Sequence, residues 1–325
     1  MDRRLTELAT GNRQSAILAI HPGALGDVIL FGQLLDELRR RWGGRVRLAA
    51  VGSRGRLLAG LGVVDKAVDI ESLPLAEVFA ERPQGGSPVY ERVPVRLGPC
   101  DVLVSCFATG NPAAERRLVE LTGAKRAVFL PIRPPEDWPG HLVDHWAALV
   151  GIDSIAPPHW TIPGAWRDAA RQELTRMSVS PDKRFTLICP GAGSRAKCWP
   201  LERFEQLAAR LPAPPVFVVG PTELDWWGEA VVNGIQRAFP TVVAPPLEVL
   251  AGLAAEAAAV VGNDSGPSHL AAAVGAPTVA IFGATRPEHF APRGRRVRVL
   301  SAGRLEEVDV AHVLAACKHL TDKGP

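Results

Sequence analysis

The sequence predicts an α/β protein of two domains, each built around a doubly wound parallel sheet. Its 325 residues are too many for one typical hydrophobic core, and two domains of about 150 residues each are expected. Strand-like and helix-like segments alternate through both halves, as they do in parallel sheets covered by helices on both faces. The alternation is interrupted once, at the proline-rich segment "IAPPHWTIPGAW" of residues 155–166.

This segment is predicted to be a linker, because prolines remove backbone donors and restrict the residues that precede them. We place an N-terminal domain at residues 1–155, the linker at 156–166 and a C-terminal domain at 167–325. The last helix is a candidate to pack back on the N-terminal domain. Paired domains of this kind bind ligands in the cleft between the carboxyl ends of their strands, so functional loops are expected there.

Short apolar runs predict the strands, and helical periodicity predicts the segments between them. In the first half the predicted strands are 16–20, 46–51, 66–70, 101–106 and 126–130, and the predicted helices are 27–42, 53–60, 112–122 and 141–150. In the second half the predicted strands are 185–189, 215–220, 241–244, 258–262 and 278–283, with a helix at 200–211. Residues 81–99 are rich in proline and glycine, which predicts a long exposed loop.

Composition excludes several classes of protein. A net charge of only +3 argues against a dedicated nucleic-acid-binding protein. No apolar run is long enough to predict a membrane-spanning helix, and the charged N-terminus has no apolar segment typical of a secretory signal. The five cysteines form no CxxC pair and the eight histidines show no metal-ligand spacing. We therefore expect a reduced, cytoplasmic protein without a metal site.

The first loop that carries candidate functional residues is "HPGALGDVIL". Gly23 and Gly26 allow close approach of the backbone to a ligand, and Asp27 falls at the first helical turn. A carboxylate at a helix N-terminus stays ionised at neutral pH, as a general base must. Asp27 is a candidate base, although helix capping alone would also explain it.

The loop "CPGAGSRAKCWP" follows the first strand of the second half. Gly191, Gly193 and Ser194 supply backbone amides and a hydroxyl at a helix start, which suits a phosphate group. Lys197 adds a positive charge beside them. The loop lacks the GxxxxGK[ST] pattern of a Walker motif, and as a lone glycine-rich turn its signal is weak.

Two further loops carry polar groups after predicted strands. In "GPTELDWWGEA", Glu223 and Asp225 could accept hydrogen bonds from ribose hydroxyls, or could simply cap a helix. In "VVGNDSGPSHLAAAVGAPTVAIFG", four polar or small residues stand at the start of an alanine-rich helix: Asp264, Ser265, Gly266 and His269. Amides there can bind an anion, and the imidazole can donate to phosphate.

Together these loops resemble those of the family 9 glycosyltransferases, the ADP-heptose:lipopolysaccharide heptosyltransferases. The matching stretches are "GALGDVIL", "PGAGSRAKCWPLERF", "VVGPTE" and "VVGNDSGPSHLAAAVGAPTVAIFGATRP", in the family's order from residue 23 to residue 287. The resemblance implies a GT-B fold, in which two Rossmann-like domains face each other across a cleft. It also implies that the acceptor binds the N-terminal domain and the nucleotide-sugar binds the C-terminal domain.

The activity implied by the resemblance is inverting, metal-independent transfer of a heptose from ADP-heptose to a hydroxyl of a lipopolysaccharide core or related glycan. No cofactor other than the donor is implied. Asp27 matches the family's proposed base. The other matches are Lys197 and Ser194 in the phosphate-binding loop, Glu223 as the ribose-binding acid, and Asp264, Gly266 and His269 in the loop that holds the diphosphate and donor sugar.

The chain departs from the family pattern at three positions. Cys198 stands where an arginine is common, Ser265 where a threonine is usual, and Arg286 where an acid is frequent. Arg286 could alter the contacts with the donor sugar or its phosphates, and therefore the choice of donor sugar. The family stretches say little about residues 71–99, the predicted acceptor-side loop.

Three other interpretations stay open. The same scaffold could use another nucleotide-sugar, such as a UDP-linked hexose. A non-catalytic nucleotide-sugar-binding protein would bind ADP without turnover. A Rossmann oxidoreductase is disfavoured, because "GALGD" lacks the third glycine of GxGxxG.

A lipid-linked acceptor would bring the protein to the inner face of the cytoplasmic membrane as a peripheral protein. Arginines that could assist through anionic lipid or a phosphorylated core sugar are Arg3, Arg4, Arg39 to Arg41 and the cluster Arg293, Arg295, Arg296 and Arg298. Exposed arginines are ordinarily just solvated, and the last cluster also fits an edge strand. The oligomeric state is left open.

Overall fold

The computed structural model describes residues 16–80, 93 and 96–322 of the chain. It divides between Ala156 and Pro157 into two compact units. Each unit is a parallel sheet with helices between its strands, which confirms the α/β prediction.

The first unit contains a five-stranded parallel sheet of order β3-β2-β1-β4-β5. Its strands are β1 Ala16–Ile20, β2 Arg45–Ala50, β3 Lys66–Asp69, β4 Val102–Ser105 and β5 Arg126–Phe129. Its α-helices are α1 Leu25–Trp42, α2 Gly52–Gly60, α3 Pro112–Thr122 and α4 Leu142–Leu149, and two short 3-10 helices span Ile70–Ser72 and Leu75–Phe79.

The central strand of this sheet determines where its ligand loop lies. β1 is almost wholly buried because its run of apolar residues packs under helices on both faces. It pairs with β2 on one side and β4 on the other, so the strand order reverses between β1 and β4. Such a switch point opens a crevice at the carboxyl ends of the strands, where the β1–α1 loop begins.

The second unit contains a six-stranded parallel sheet of order β11-β10-β9-β6-β7-β8. Its strands are β6 Thr186–Cys189, β7 Pro215–Val219, β8 Thr241–Val243, β9 Ala259–Asn263, β10 Thr278–Phe282 and β11 Val297–Ser301. Its α-helices are α5 Gly164–Arg176, α6 Leu201–Ala208, α7 Pro221–Ala238, α8 Leu247–Glu256, α9 Gly266–Ala273, α10 Pro287–Phe290 and α11 Val310–Asp322. Here the order reverses between β6 and β9, the strands that carry the second and fourth predicted loops.

The linker prediction needs a correction at its C-terminal end. Helix α5 already begins at Gly164, and the irregular segment before it is anchored rather than exposed. Trp160 and Ile162 are buried, and the amide of Trp160 donates to the carbonyl of Ala273. The prolines do break the secondary structure, but the apolar residues between them fasten the segment to the second unit.

The predicted exposed loop at 81–99 is wrong at Val93 and Leu97, whereas Arg96 and Pro99 are exposed as predicted. Val93 and Leu97 are helical and fully buried, and they belong to the core that contains Leu18 and Leu103. The glycines and prolines of the surrounding sequence obscured the burial of these two apolar residues. Residues 81–92, 94 and 95 lie outside the described part of the chain.

Helix α11 packs on elements of its own unit, namely α6 and strands β9, β10 and β11. The basic cluster near residue 296 falls on and before β11, which is an edge strand, and Arg295 and Arg298 are exposed there. All five cysteines are free, and four of them are buried. Among the described residues, no helix combines the length and apolarity needed to cross a membrane.

Candidate functional site

Asp27 lies in the first unit, at the third position of α1. Its Oδ2 accepts a hydrogen bond of 2.9 Å from the amide of Ala24, just before the helix. The capping interaction anticipated as an alternative is therefore present. One carboxylate oxygen of the half-buried side chain makes this contact, and the cap holds the group at the carboxyl end of β1.

His21 packs directly behind this loop, a contact that sequence reasoning missed. The imidazole is almost fully buried, and its Nδ1 accepts a 3.0 Å hydrogen bond from the amide of Gly23. Its ring lies against Phe31 and Trp146, with centroids 5.1 and 6.2 Å away. A histidine directly after a strand, followed by proline and glycine, was the available signal.

Gly23 is required where the histidine and the aspartate converge. An ideal Cβ at Gly23 would lie 2.5 Å from Cε1 of His21 and 2.8 Å from Oδ2 of Asp27. Both distances are shorter than real side chains tolerate. Arg54 holds the same turn from outside, donating from Nη1 to the carbonyl of Gly23 at 2.7 Å. The conformation of the loop that presents Asp27 is therefore held by close contacts with His21 and Arg54.

Burial lowers the pKa of His21 to about 4, an effect that the Asp27 carboxylate opposes and the Arg54 guanidinium reinforces. The ring is therefore neutral near pH 7. Because Nδ1 accepts a hydrogen bond, the proton lies on Nε2. Nε2 is buried without a partner in the described part of the protein.

The His21 pKa predicts an acid-dependent loss of stability. The unfolded chain takes up a proton near pH 6.5 that the folded chain resists until about pH 4, so stability is lost as the pH falls through this interval. The maximal loss is on the order of 3 kcal/mol. We expect urea unfolding at pH 4.5 and pH 8 to show a smaller difference for His21→Asn than for the wild type. Equal differences in the two proteins would contradict the assignment.

In the second unit, a buried asparagine joins the two loops at the β6–β9 switch point. Asn263 accepts a 2.9 Å hydrogen bond from the amide of Trp199 and donates a 2.7 Å bond to the carbonyl of Pro190. The loop after β6 is thereby fastened at both ends to β9. Sequence reasoning passed over Asn263, although it directly precedes the acid of the fourth loop.

Lys197, Asp264 and His269 come together at this switch point. Nζ of Lys197 donates to Oδ2 of Asp264 at 2.6 Å, and Nε2 of His269 lies 3.9 Å from Oδ1. Asp264 and His269 are buried, whereas the lysine is partly exposed. Burial alone would raise the pKa of Asp264, but its interactions with His269 and Lys197 outweigh that effect and lower the pKa. The structure thus places a carboxylate beneath a partly exposed ammonium group.

Two buried polar atoms at the start of α9 have no partner among the described residues. They are Oγ of Ser265, the residue that precedes the helix, and Nδ1 of His269 in its first turn. Gly266 begins the helix between them. Buried polar atoms are nearly always satisfied, so unpaired ones at the mouth of a parallel sheet fit a polar ligand. A helix start of this kind favours an anionic one.

Glu223 occupies a more enclosed position. Its Oε2 accepts a 2.7 Å hydrogen bond from the amide of Gly220 at the start of α7, and the side chain is buried. Burial raises its pKa, against the lowering effect of the backbone amides of Gly220, Glu223 and Ala192. The anticipated capping role is therefore present.

The glycines of the β6 loop are expected to respond differently to substitution. An ideal Cβ at Gly191 would lie 1.9 Å from Oε1 of Glu223, whereas one at Gly193 would meet nothing within 4 Å. We expect Gly191→Ala to destabilise the protein by roughly 1–3 kcal/mol and Gly193→Ala to change stability by less than about 0.5 kcal/mol. If Gly193 approaches the donor, its substitution should still weaken ADP binding. Unfolding curves and ADP titrations of both variants provide the check, and unchanged affinity in Gly193→Ala would exclude it from the donor site.

Two of the positions that depart from the family pattern, Cys198 and Arg286, make contacts with residues nearby in the chain. Cys198 is half-buried, its Sγ donates to the carbonyl of Ser194 at 3.5 Å, and burial raises its pKa. Arg286 precedes α10, and its Nε lies 4.0 Å from the carboxylate of Glu288 on the surface.

Three arginines suggested for membrane contact have acidic partners on or near α1: Arg39 pairs with Asp65, while Arg40 and Arg41 pair with Glu37.

Comparison with known families identifies the chain. Residues 136–316, more than half of its length, match the family model of glycosyltransferase family 9 (heptosyltransferase). The chain belongs to glycosyltransferase family 9. The family resemblance predicted from the loops is therefore confirmed. The matched region contains all candidate residues of the second unit of this family 9 glycosyltransferase.

Individual relatives agree with this placement. The family 9 chain is 31% identical over 170 residues to lipopolysaccharide heptosyltransferase 3 of Escherichia coli, an alignment covering 49% of this chain and 48% of that protein. It thus spans about half the length of that relative. It is 25% identical over 309 residues to lipooligosaccharide heptosyltransferase 2 of Haemophilus influenzae, covering 87% and 88% of the two chains.

A solved structure shows the same fold. The E. coli ADP-heptose lps heptosyltransferase II superposes with a TM-score of 0.75 at 18% identity, over 95% of this chain and 99% of that one. The GT-B fold predicted for this family 9 glycosyltransferase is therefore confirmed. Among the described residues, no group of three or more histidine, cysteine, aspartate or glutamate side chains is arranged to hold a metal ion.

Proposed function

We propose that this chain transfers a heptose from ADP-heptose to a hydroxyl of a lipopolysaccharide core or related glycan, with inversion at the anomeric carbon. The observation that carries the proposal is the cluster of Lys197, Asp264 and His269 beside the unpaired hydroxyl of Ser265. Membership of family 9 and the names of the heptosyltransferase relatives support it.

The donor half of the reaction is assigned to the second unit. Breaking the anomeric C–O bond places negative charge on the departing diphosphate, and a positioned ammonium group and helix-start amides stabilise such charge. Lys197, Ser194, Gly193 and the amides near Gly266 fill this role in the proposal. His269, whose Nδ1 has no partner among the described residues, is available to the donor as well.

Asp264 explains how the lysine is kept in place before the donor binds. Its carboxylate holds Nζ of Lys197 in one position, and the lowered pKa of Asp264 keeps this ion pair formed over the neutral range. The lysine therefore does not need to be ordered when the diphosphate arrives. Preorganised charge of this kind is more effective in catalysis than a flexible surface lysine.

The acceptor half is assigned to the first unit, with Asp27 as the general base. Inversion requires the acceptor oxygen to attack from the side opposite the diphosphate while a base removes its proton. One oxygen of Asp27 is engaged by the amide of Ala24, so the carboxylate is oriented and its other oxygen can receive the proton. Gly26 stays assigned to the acceptor side, whereas the space beside Gly23 is taken by His21 and Asp27, so Gly23 serves to shape the loop.

No cofactor or metal ion is part of the proposed mechanism, because Lys197 and the amides supply the charge stabilisation that magnesium provides in other transferases. Glu223 remains the proposed contact to the ribose hydroxyls. It would accept those hydrogen bonds with the carboxylate lone pairs that are not engaged by the helix cap. Peripheral contact with the inner face of the cytoplasmic membrane through a lipid-linked acceptor also belongs to the proposal.

The decisive experiment combines the purified chain with ADP-heptose and a series of truncated core oligosaccharides, followed by mass spectrometry. The proposal expects one added heptose on one acceptor, without added metal and in the presence of a chelator. A thermal-shift comparison expects stabilisation by ADP and not by UDP. Binding of ADP without transfer to any acceptor would favour the non-catalytic alternative.

A further inference from the structure

A second polar cleft lies within the second unit, at the edge of its sheet opposite the candidate donor site. It has a cavity volume of about 410 Å³, within the range of pockets that bind small ligands. Its lining includes the residues directly before three strands: Ala258 before β9, Pro277 before β10 and Arg296 before β11. Of these three strands, β9 carries a candidate donor loop at its other end, roughly 17 Å away along five residues of chain.

The cleft has a small apolar floor with cationic sides. Alanine, glycine and proline form the floor, at residues 257, 258 and 275–277. Arg184, before β6, and Arg296, before β11, stand at opposite ends of this floor, because β9 and β10 lie between these two strands and three inter-strand spacings amount to roughly 14 Å. Arg167 completes the cationic lining, and His159 also borders the cleft.

The lining carries more positive charge than the described residues neutralise. Three arginines face one acid, Glu256, which forms an ion pair with Arg167. Arg296 donates from Nη2 to the carbonyl of Leu320 near the end of α11. The side chain of Arg184 is exposed and has no hydrogen bond or ion pair with any of the described residues. Within the described part of the chain, no acidic side chain compensates the charges of Arg184 and Arg296.

The C-terminal ends of nearby helices explain the presence of only some of these arginines. The C-termini of α8 and α9 arrive at this edge of the sheet, and their negative dipole ends favour nearby cations. Arg167 and Arg296 satisfy groups on α8 and α11 directly. Arg184 and the exposed His159 serve no such group, and both border open space above the floor.

We propose that this cleft binds a phosphate group, carried either by a small molecule or by a lipid headgroup. Arginine forks match the tetrahedral oxygens of phosphate, and two surplus positive charges match a phosphate dianion. His159 packs over Gly275, and the small residues of the rest of the floor leave the phosphate room between Arg184 and Arg296. The site is separate from the diphosphate contacts of the donor and does not depend on the proposed transferase activity.

The test is calorimetric titration of inorganic phosphate into the full chain at fixed ionic strength, with ADP saturating the donor site. We expect measurable binding by the wild type and a loss of about tenfold in affinity in Arg184→Gln. Arg210→Gln, which neutralises an exposed arginine of the same unit, is the matched control and should bind as the wild type does. If ADP fails to bind, the proposed function fails while the phosphate titration remains informative.

A second arm distinguishes the source of the phosphate. Flotation with phosphatidylglycerol and phosphatidylcholine vesicles is compared for the same three proteins. Arg184-dependent binding to the anionic vesicles alone assigns the cleft to a headgroup, and Arg184-dependent binding of free phosphate assigns it to a small ligand. The proposal is overturned if neither probe binds, or if Arg184→Gln and Arg210→Gln weaken binding equally.

Discussion

Replacement of Asp27 by asparagine is expected to lower the rate of heptosyl transfer by about 10²–10⁴-fold, the usual effect of losing a general base. The substitution is well matched to the site. The asparagine oxygen can still accept from the amide of Ala24, so the cap and the loop geometry are retained while the proton acceptor is lost. Initial rates with saturating donor and acceptor measure the effect.

Two controls separate chemistry from structure in this variant. The affinity for ADP should be unchanged, because Asp27 lies in the first unit and the proposed donor contacts lie in the second. Asp36→Asn removes another carboxylate of α1 and should retain the wild-type rate. Full turnover by Asp27→Asn with normal ADP affinity would remove Asp27 from the mechanism.

Replacement of Lys197 by alanine is expected to reduce kcat by about 10²–10³-fold, because the charge on the departing diphosphate loses its positioned counter-ion. The loss should appear in kcat more than in donor affinity if the lysine acts mainly as the bond breaks. Single-turnover rates combined with ADP titration provide this comparison. Lys183→Ala, an exposed lysine of the same unit, is the control for net charge.

The lysine also neutralises the buried Asp264, and a double variant distinguishes the two roles. Removing Lys197 alone leaves Asp264 with His269 as its remaining side-chain partner, so the pKa of Asp264 should rise. If this effect caused the loss of rate, Lys197→Ala combined with Asp264→Asn would recover activity. We expect no recovery, and a double variant close to the wild-type rate would show that Lys197 acts only on Asp264.

The sequence was most informative where the physical signal is local. Buried parallel strands are short apolar runs, and β1 was predicted at the residues where it is observed. The glycine loops after β1, β6 and β9 could also be located, because small residues between a strand and a helix allow a tight turn with exposed amides. These loops were sufficient to indicate the family.

Local signals failed where burial overrode composition. Val93 and Leu97 are core residues inside a stretch whose glycines and prolines predicted exposure, and Trp160 is buried inside a predicted linker. Helix α8 was missed because nearly all of its residues are apolar or small, so its pattern has no polar face to mark the period. In each case the packing partner lies far away in sequence.

The sequence by itself determined the strands, the two-unit organisation and the loops that carry the candidate chemistry, since these follow from local periodicity and backbone preference. Only the tertiary structure decided which side chains meet. Lys197 and Asp264 are 67 residues apart, and Asn263 joins segments 64 and 73 residues away. Strand order and register determine such contacts, and they emerge from packing the whole sheet, not from any single segment.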